Sequence, residues 1–159
     1  MQPMDEVYKQ YANTVYRYLL SLTRSQDTAE ELTQETFYQA IRSADRFDGS
    51  CKVSTWLCAI AKRVYLSYLR KHPVTEPLDG IDSTVPSAED ETVARAGRTE
   101  LVRRLHLLPE PAREIAYLRV FGGLSFGEIG EILGISETRA RVTYFRAKER
   151  IGKELEEDE

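Results

Sequence analysis

Apolar residues fall three and four positions apart over nearly the whole chain, and that spacing leaves little besides helix for it to form. Tyr8, Tyr11, Val15, Leu19 and Leu22 predict a first helix with one buried face. Asp27-Thr28-Ala29-Glu30 is built like a capping box and predicts the start of a second helix. Ala29, Leu32, Ala40 and Ala44 can face inward on it, while Asp27, Glu31, Gln34, Glu35 and Tyr38 line another face. From Phe47 to Val53 the period is lost and turn residues take over, so a loop is expected. Ser54 is the expected cap of a third helix, with Leu57, Ile60, Ala61, Val64 and Tyr68 as its core stripe. His72-Pro73 ends that helix, because the proline ring disfavours helical geometry in the residue before it.

Pro73, Pro77, Gly80 and Pro86, set among acids, then predict a linker. Ser87-Ala88-Glu89-Asp90 opens a helix running toward Leu108, and Pro109-Glu110-Pro111 breaks and restarts it. Ser125-Phe126-Gly127-Glu128 caps a short helix through Leu133, Gly134-Ile135-Ser136 turns the chain, and a long helix follows from Glu137. That succession is a helix-turn-helix. On its second helix Ala140, Tyr144, Ala147 and Ile151 make one buried line. Arg139, Arg146 and Arg150 share another, with Arg141 and Thr143 beside it. The expected fold is all-α, with two small helical domains: an N-terminal helical bundle over residues 1–72 and a C-terminal helix-turn-helix domain over residues 89–159. A flexible acidic linker over 73–88 joins them, and the C-terminal tail is acidic.

The net charge of −4 by itself speaks weakly against nucleic acid, but its distribution matters more. Acids concentrate between Glu76 and Glu91 and from Glu154 to Glu159. Lysine and arginine concentrate in Lys52–Lys71 and Arg139–Arg150, which suggests two anion-binding surfaces. No apolar run approaches the roughly 20 residues that cross a bilayer, and the acidic start is unlike a secretory signal. A cytoplasmic protein without membrane insertion is expected. Cys51 and Cys58 are too few for a disulfide framework and match no usual zinc spacing. Two reduced thiols are expected, with a redox role for Cys51 as the alternative. A glycine-rich phosphate loop, a plausible triad and a metal-ligand cluster are all missing. The chain is therefore not expected to be an enzyme, and no catalytic residue, metal or cofactor is assigned.

Specific motifs narrow this further. Asp27-x-Ala29-Glu30-Glu31-Leu32-x-Gln34-Glu35-x-Phe37 resembles the polymerase-binding helix of the sigma-70 superfamily. Trp56-Leu57-x-x-Ile60-Ala61-Lys62, followed by Tyr68-Leu69-Arg70-Lys71, is similar to that family's promoter −10 helix. Leu108-Pro109, Arg113, Gly123-x-Ser125, Glu128-Ile129, Leu133-Gly134-Ile135-Ser136 and Arg146-Ala147-Lys148 resemble its −35-binding domain. With only an acidic linker between the halves and no preceding regulatory region, the plan resembles the extracytoplasmic function (ECF) type.

The resemblance implies a sigma factor that binds core RNA polymerase, directs initiation at chosen promoters, and has promoter DNA and an anti-sigma factor as further partners. It assigns the polymerase contact to Asp27, Glu30, Glu31, Gln34, Glu35 and Phe37. It assigns the single-stranded −10 element to Ser50, Lys52, Trp56, Lys62, Arg63, Ser67, Arg70 and Lys71. An aromatic to stack on and cations along the backbone suit a melted strand. The −35 duplex falls to Ser136, Thr138, Arg139, Arg141, Thr143, Arg146 and Arg150, where arginines can grip guanine or phosphate. The acidic linker is implied to thread toward the polymerase's active-site cleft.

Blander readings stand beside each of these. The acidic face can be a solvated one supported by the helix dipole, Trp56 can be core, and the linker a plain tether. Arg63 and Ser67 stand where the family usually has asparagine and aspartate, and Thr138-Arg139-Ala140 where it often has Gly-Thr-Val. These departures bear on promoter sequence. Arg63 can serve the strand or instead pair with Asp45 or Asp48. The rival for the whole chain is a stand-alone helix-turn-helix regulator, which would bind duplex without polymerase. An adaptor that touches no DNA is disfavoured by the two basic segments.

Overall fold

The computed structural model describes residues 2–73 and 96–157, and what it describes is helix joined by short turns. In the first half α1 (Met4–Thr23), α2 (Gln26–Arg42) and α3 (Val53–Lys71) pack on one another, with a 3₁₀ turn at Ala44–Arg46. In the second half come α4 (Ala96–His106), α5 (Ala112–Val120), α6 (Phe126–Leu133) and α7 (Glu137–Glu157). No strand occurs among the described residues, so the all-α expectation holds. No described helix is long and apolar enough to cross a membrane. Apart from Pro73, the predicted linker lies outside the described residues, as does the helix start at Ser87.

Helix starts show where local sequence decides and where it does not. Ser125 and Glu128 form the predicted capping box: the Ser125 hydroxyl accepts the Glu128 N–H at 3.1 Å, and the Glu128 carboxylate accepts the Ser125 N–H at 2.8 Å. For α2 the cap is Ser25, two residues before the expected Asp27, and its hydroxyl accepts the Thr28 N–H at 3.3 Å. Ser54 does not cap α3. The chain turns helical two residues earlier, with the Lys52 carbonyl accepting the Trp56 N–H at 3.0 Å, and Ser54 is buried in the first turn. Ala44 falls in the 3₁₀ turn and not on α2.

The helix-turn-helix depends on two glycines. Gly134 takes φ +74°, a left-handed conformation that side chains resist. It and Ile135 both donate their N–H to the Gly130 carbonyl, at 2.8 and 3.0 Å. At Gly130 a methyl group would sit 2.5 Å from the Ile135 carbonyl oxygen, so only glycine lets the turn close this tightly.

The main core crosses the midpoint of the chain. Val15, Leu19, Leu57 and Ile60 of the first half share one apolar cluster with Ile115, Leu118, Leu124 and Ile129 of the second. A smaller cluster within the second half joins Leu105, Leu108, Ala116, Tyr117, Ala147 and Ile151. The two helical halves are therefore packed together, α1 against α5 and α3 against α6.

Candidate nucleic-acid interface

The predicted line on α7 is seated as expected: Ala140, Ala147 and Ile151 are buried and Tyr144 is half-buried. Tyr144 and Phe145 pack on Phe126 of α6, with ring centroids 5.5 and 5.8 Å away. That fixes which face of α7 meets solvent. Thr138, Arg139, Arg141, Arg146 and Arg150 are exposed, and Thr143 is half-buried beside them. Ser136 caps the helix, its hydroxyl accepting the Arg139 N–H at 3.0 Å.

The arginines differ in what they touch. Arg141 pairs with Glu137 at 2.6 Å and lies 5.5 Å from the centre of the Phe126 ring. Arg150 pairs with Glu154 at 3.3 Å, and Glu154 also reaches Arg104 at 3.4 Å. Arg139 and Arg146 make no ion pair among the described residues. An anion approaching α7 from solvent thus meets two uncommitted guanidiniums and two held only by surface acids.

On α3 the cations divide between two sides. Arg63, Arg70 and Lys71 are exposed and Ser67 is half-buried. Arg63 borders a hollow with Glu35, Gln39, Arg42 and Arg46, and forms no ion pair with Asp45 or Asp48. Lys62, one residue away and so about 100° around the helix, points toward the second half. Its ammonium meets the Glu114 carboxylate of α5 at 2.8 Å. Lys52, just before α3, gives its ammonium to the Gly123 carbonyl. Ser50 is exposed, and its N–H donates to Asp48 at 2.9 Å, which holds that carboxyl below the usual range. Trp56 is half-buried against the core, its ring 5.0 Å from Phe47. Because it is only half-buried, the two readings of this residue do not exclude each other.

Asp27, Glu30, Glu31, Gln34 and Glu35 all stand exposed on α2, with Tyr38 beside them. Between α2 and α3 runs a groove of about 550 Å³ bordered by Glu31, Gln34, Glu35, Tyr38, Ser67 and Lys71. The acidic face and part of the basic stripe therefore share one groove. Phe37 lies elsewhere: it is 4% exposed and packs edge-on to Tyr8, with centroids 4.9 Å apart. Its side chain supports the face from beneath and is out of a partner's reach.

Sequence reasoning missed the polar groups that join the halves. Tyr18, wholly buried on α1, donates its hydroxyl to Glu114 at 2.6 Å. Thr55 of α3 donates to Glu128 at 3.0 Å, and Arg17 lies 5.2 Å over the Phe121 ring. Burial and the adjacent Glu114 carboxylate push the Tyr18 phenol well above its ordinary value. Tyr18 and Glu114 are 96 positions apart, and no local pattern links them. The thiols are quiet: burial pushes Cys58 up to about 12, while partial burial and nearby Glu128, Asp48 and Glu131 raise Cys51. Both stay protonated near neutral pH, which argues against the redox alternative for Cys51.

Known proteins share both the sequence and the architecture. The family model for Sigma-70 region 2 matches residues 7–73, and that for Sigma-70, region 4 matches residues 98–151. Among curated relatives, the ECF RNA polymerase sigma factor SigM of Bacillus subtilis is 36% identical, over 93% of this chain and 92% of its own. The RNA polymerase sigma factor YlaC of the same organism is 30% identical, over 96% and 91%. Among solved structures, the sigma factor RpoE from Bartonella quintana superposes with a TM-score of 0.69 at 21% identity, covering 98% of both chains. The fold is thus that of a sigma factor. With both regions matched in order and relatives similar along their whole lengths, the chain belongs to the ECF RNA polymerase sigma factors of the sigma-70 family, which direct promoter-specific transcription initiation and are not enzymes.

Proposed function

We propose that the chain reads the −35 duplex with the exposed face of α7 and holds the −10 element as a single strand along α3 and the loop before it. The polymerase docks on the acidic face of α2. What carries this reading is α7: its buried line locks it into the helix-turn-helix, and Arg139 and Arg146 project from the opposite side with no ion pair among the described residues. Such a helix presents its first turns to a major groove. Arg63, Arg70 and the half-buried Trp56 offer what a melted strand requires, namely cations and an aromatic ring. The exposed carboxylates of α2 suit a basic partner surface, where opposite charges give encounter rate and register.

The division into a polymerase and −10 unit over 1–72, a linker over 73–88 and a −35 unit over 89–159 belongs to the same proposal. An anti-sigma factor is proposed as a further partner. The RpoE structure contains the anti-sigma factor NepR, and a second fold neighbour, CnrH, at a TM-score of 0.61, was solved with the cytosolic domain of CnrY.

Run-off transcription with core polymerase on genomic fragments tests the proposal. Initiation at discrete sites is expected. Arg139→Ala should then lower −35 affinity by about 1–3 kcal/mol at one base position if it reads a base. A uniform loss across sequences would make it a phosphate contact. Tight, sequence-specific duplex binding by the isolated protein, with no effect on polymerase, would overturn the proposal in favour of a stand-alone regulator.

A further inference from the structure

Where α1 meets α5 there is a second group of charges besides the Lys62–Glu114 pair, and in it the cations outnumber the acids. Tyr117 of α5 stands in its middle. It is 1% exposed, its ring lies 5.1 Å from Phe121, and its hydroxyl is 3.5 Å from His106 Nδ1. Burial pushes its phenol up to about 12, while the Arg17, Arg113 and Arg24 guanidiniums act in the other direction. Three cations thus gather around one hydroxyl. Among the described residues the acid set against them is Glu110, whose carboxylate is 3.4 Å from Arg113 Nε. Glu114 is engaged with Lys62 and Tyr18.

Two of these guanidiniums carry N–H groups that are shut away from water and make no hydrogen bond. Arg113 is 7% exposed. Its Nη1 donates to the Leu108 carbonyl at 3.3 Å, but its Nε makes no hydrogen bond, even to the nearby Glu110. Arg17 is half-buried over the Phe121 ring, and its Nη1 is buried without a hydrogen bond. Arg24 and His106 border the same spot and have further interactions. A buried donor without an acceptor is destabilising, and so are like charges drawn together out of water. One oxyanion among the guanidiniums relieves both, because its oxygens accept from several N–H groups at once and match the guanidinium fork.

We propose that Arg17, Arg113 and the Tyr117 hydroxyl form a binding site, between α1 and α5, for a small phosphate-bearing anion. Burial sets the size of the ligand. The nitrogens concerned lie beneath the surface, within reach of a free phosphate or diphosphate group and out of reach of a duplex backbone. Arg17, the more exposed of the two, marks the entrance, and its stacking on Phe121 at 5.2 Å holds the guanidinium plane. Arg113 forms the back of the site.

The probe is inorganic pyrophosphate, titrated into the full chain at constant ionic strength while thermal unfolding is followed. A bound anion raises the midpoint saturably, whereas the general stabilising action of phosphate salts grows without saturation. A saturable rise is expected, together with broadening of the pyrophosphate signal in phosphorus NMR. In Arg17→Gln half-saturation should need at least about tenfold more pyrophosphate, as expected for the loss of a charged donor. If that variant loses its helical signal, Arg17→Lys takes its place. It keeps the charge without the fork, and weaker binding is again expected. A mixed-sequence DNA duplex added to the wild type should leave the broadening in place. Neither saturation nor broadening overturns the proposal. Equal titrations of variant and wild type also overturn it, since the anion then binds elsewhere. Displacement of pyrophosphate by the duplex overturns it in favour of an ordinary contact to DNA phosphates.

Discussion

The two basic surfaces of this protein are held in different ways. On α7 the arginines belong to a helix whose far side is fixed by Ala140, Ala147 and Ile151, and among the described residues their only acidic partners are Glu137 and Glu154 of the same helix. On α3 and its approach, Lys62 and Lys52 are tied to residues more than fifty positions away, and Trp56 is half in the core. One surface rides on a helix whose far side is seated by apolar packing. The other is shaped by what the rest of the chain does. A duplex, which keeps its form, can be met by a ready-made face, whereas a melted strand exists only once the polymerase and DNA are in place.

The hardest way to break this contrast is Glu114→Ala. It strands the Lys62 ammonium and the Tyr18 hydroxyl in a buried site, and breaking a pair so placed costs about 3 kcal/mol. The loss, read from urea unfolding, should be accompanied by faster hydrogen exchange at the contact of α1 with α5. A loss below about 0.5 kcal/mol, the range of ordinary surface changes, would mean that the halves are joined by apolar packing alone.

Ser125→Ala sharpens the contrast from the other side. It removes the hydroxyl of the capping box and should cost about 1 kcal/mol. The weakening is expected in amide exchange of α6 and the start of α7, with α2 unaffected. Equal weakening throughout would show that the helix-turn-helix does not stand as a separate cooperative piece.

The smallest effect is expected of Glu137→Gln. Both side chains of its pair with Arg141 are about half exposed, so stability should move by no more than about 0.5 kcal/mol. Affinity for −35 duplex should nevertheless rise, because the substitution removes a negative charge from the turn proposed to face DNA and frees Arg141. An unchanged affinity across a salt series would place Arg141 outside the DNA contact.

What the sequence made legible follows the range of the forces involved. The Ser125–Glu128 box spans three residues and the α7 core line follows from helical period alone, so both were readable. The expected cap of α2 lies two residues past the observed one because Ser25 and Asp27 are both good capping types. Ser54 failed as a cap because the loop from Phe47 delivers Lys52 already extended. Phe37 fits the family motif, yet a motif records that a residue matters and not which way it faces. The joining of the halves was the least legible, since Tyr18 and Glu114 meet only after everything between them has folded.

Gly130 carries a consequence for how such proteins diversify. The closeness of the turn is set on α6, by a residue that lacks a methyl group. Those side chains can therefore be exchanged one by one without rebuilding the bend that aims them. If α7 reads the −35 duplex as proposed, the reading head is replaceable while its mount stays fixed, and new promoter preferences can arise by altering letters on one helical face.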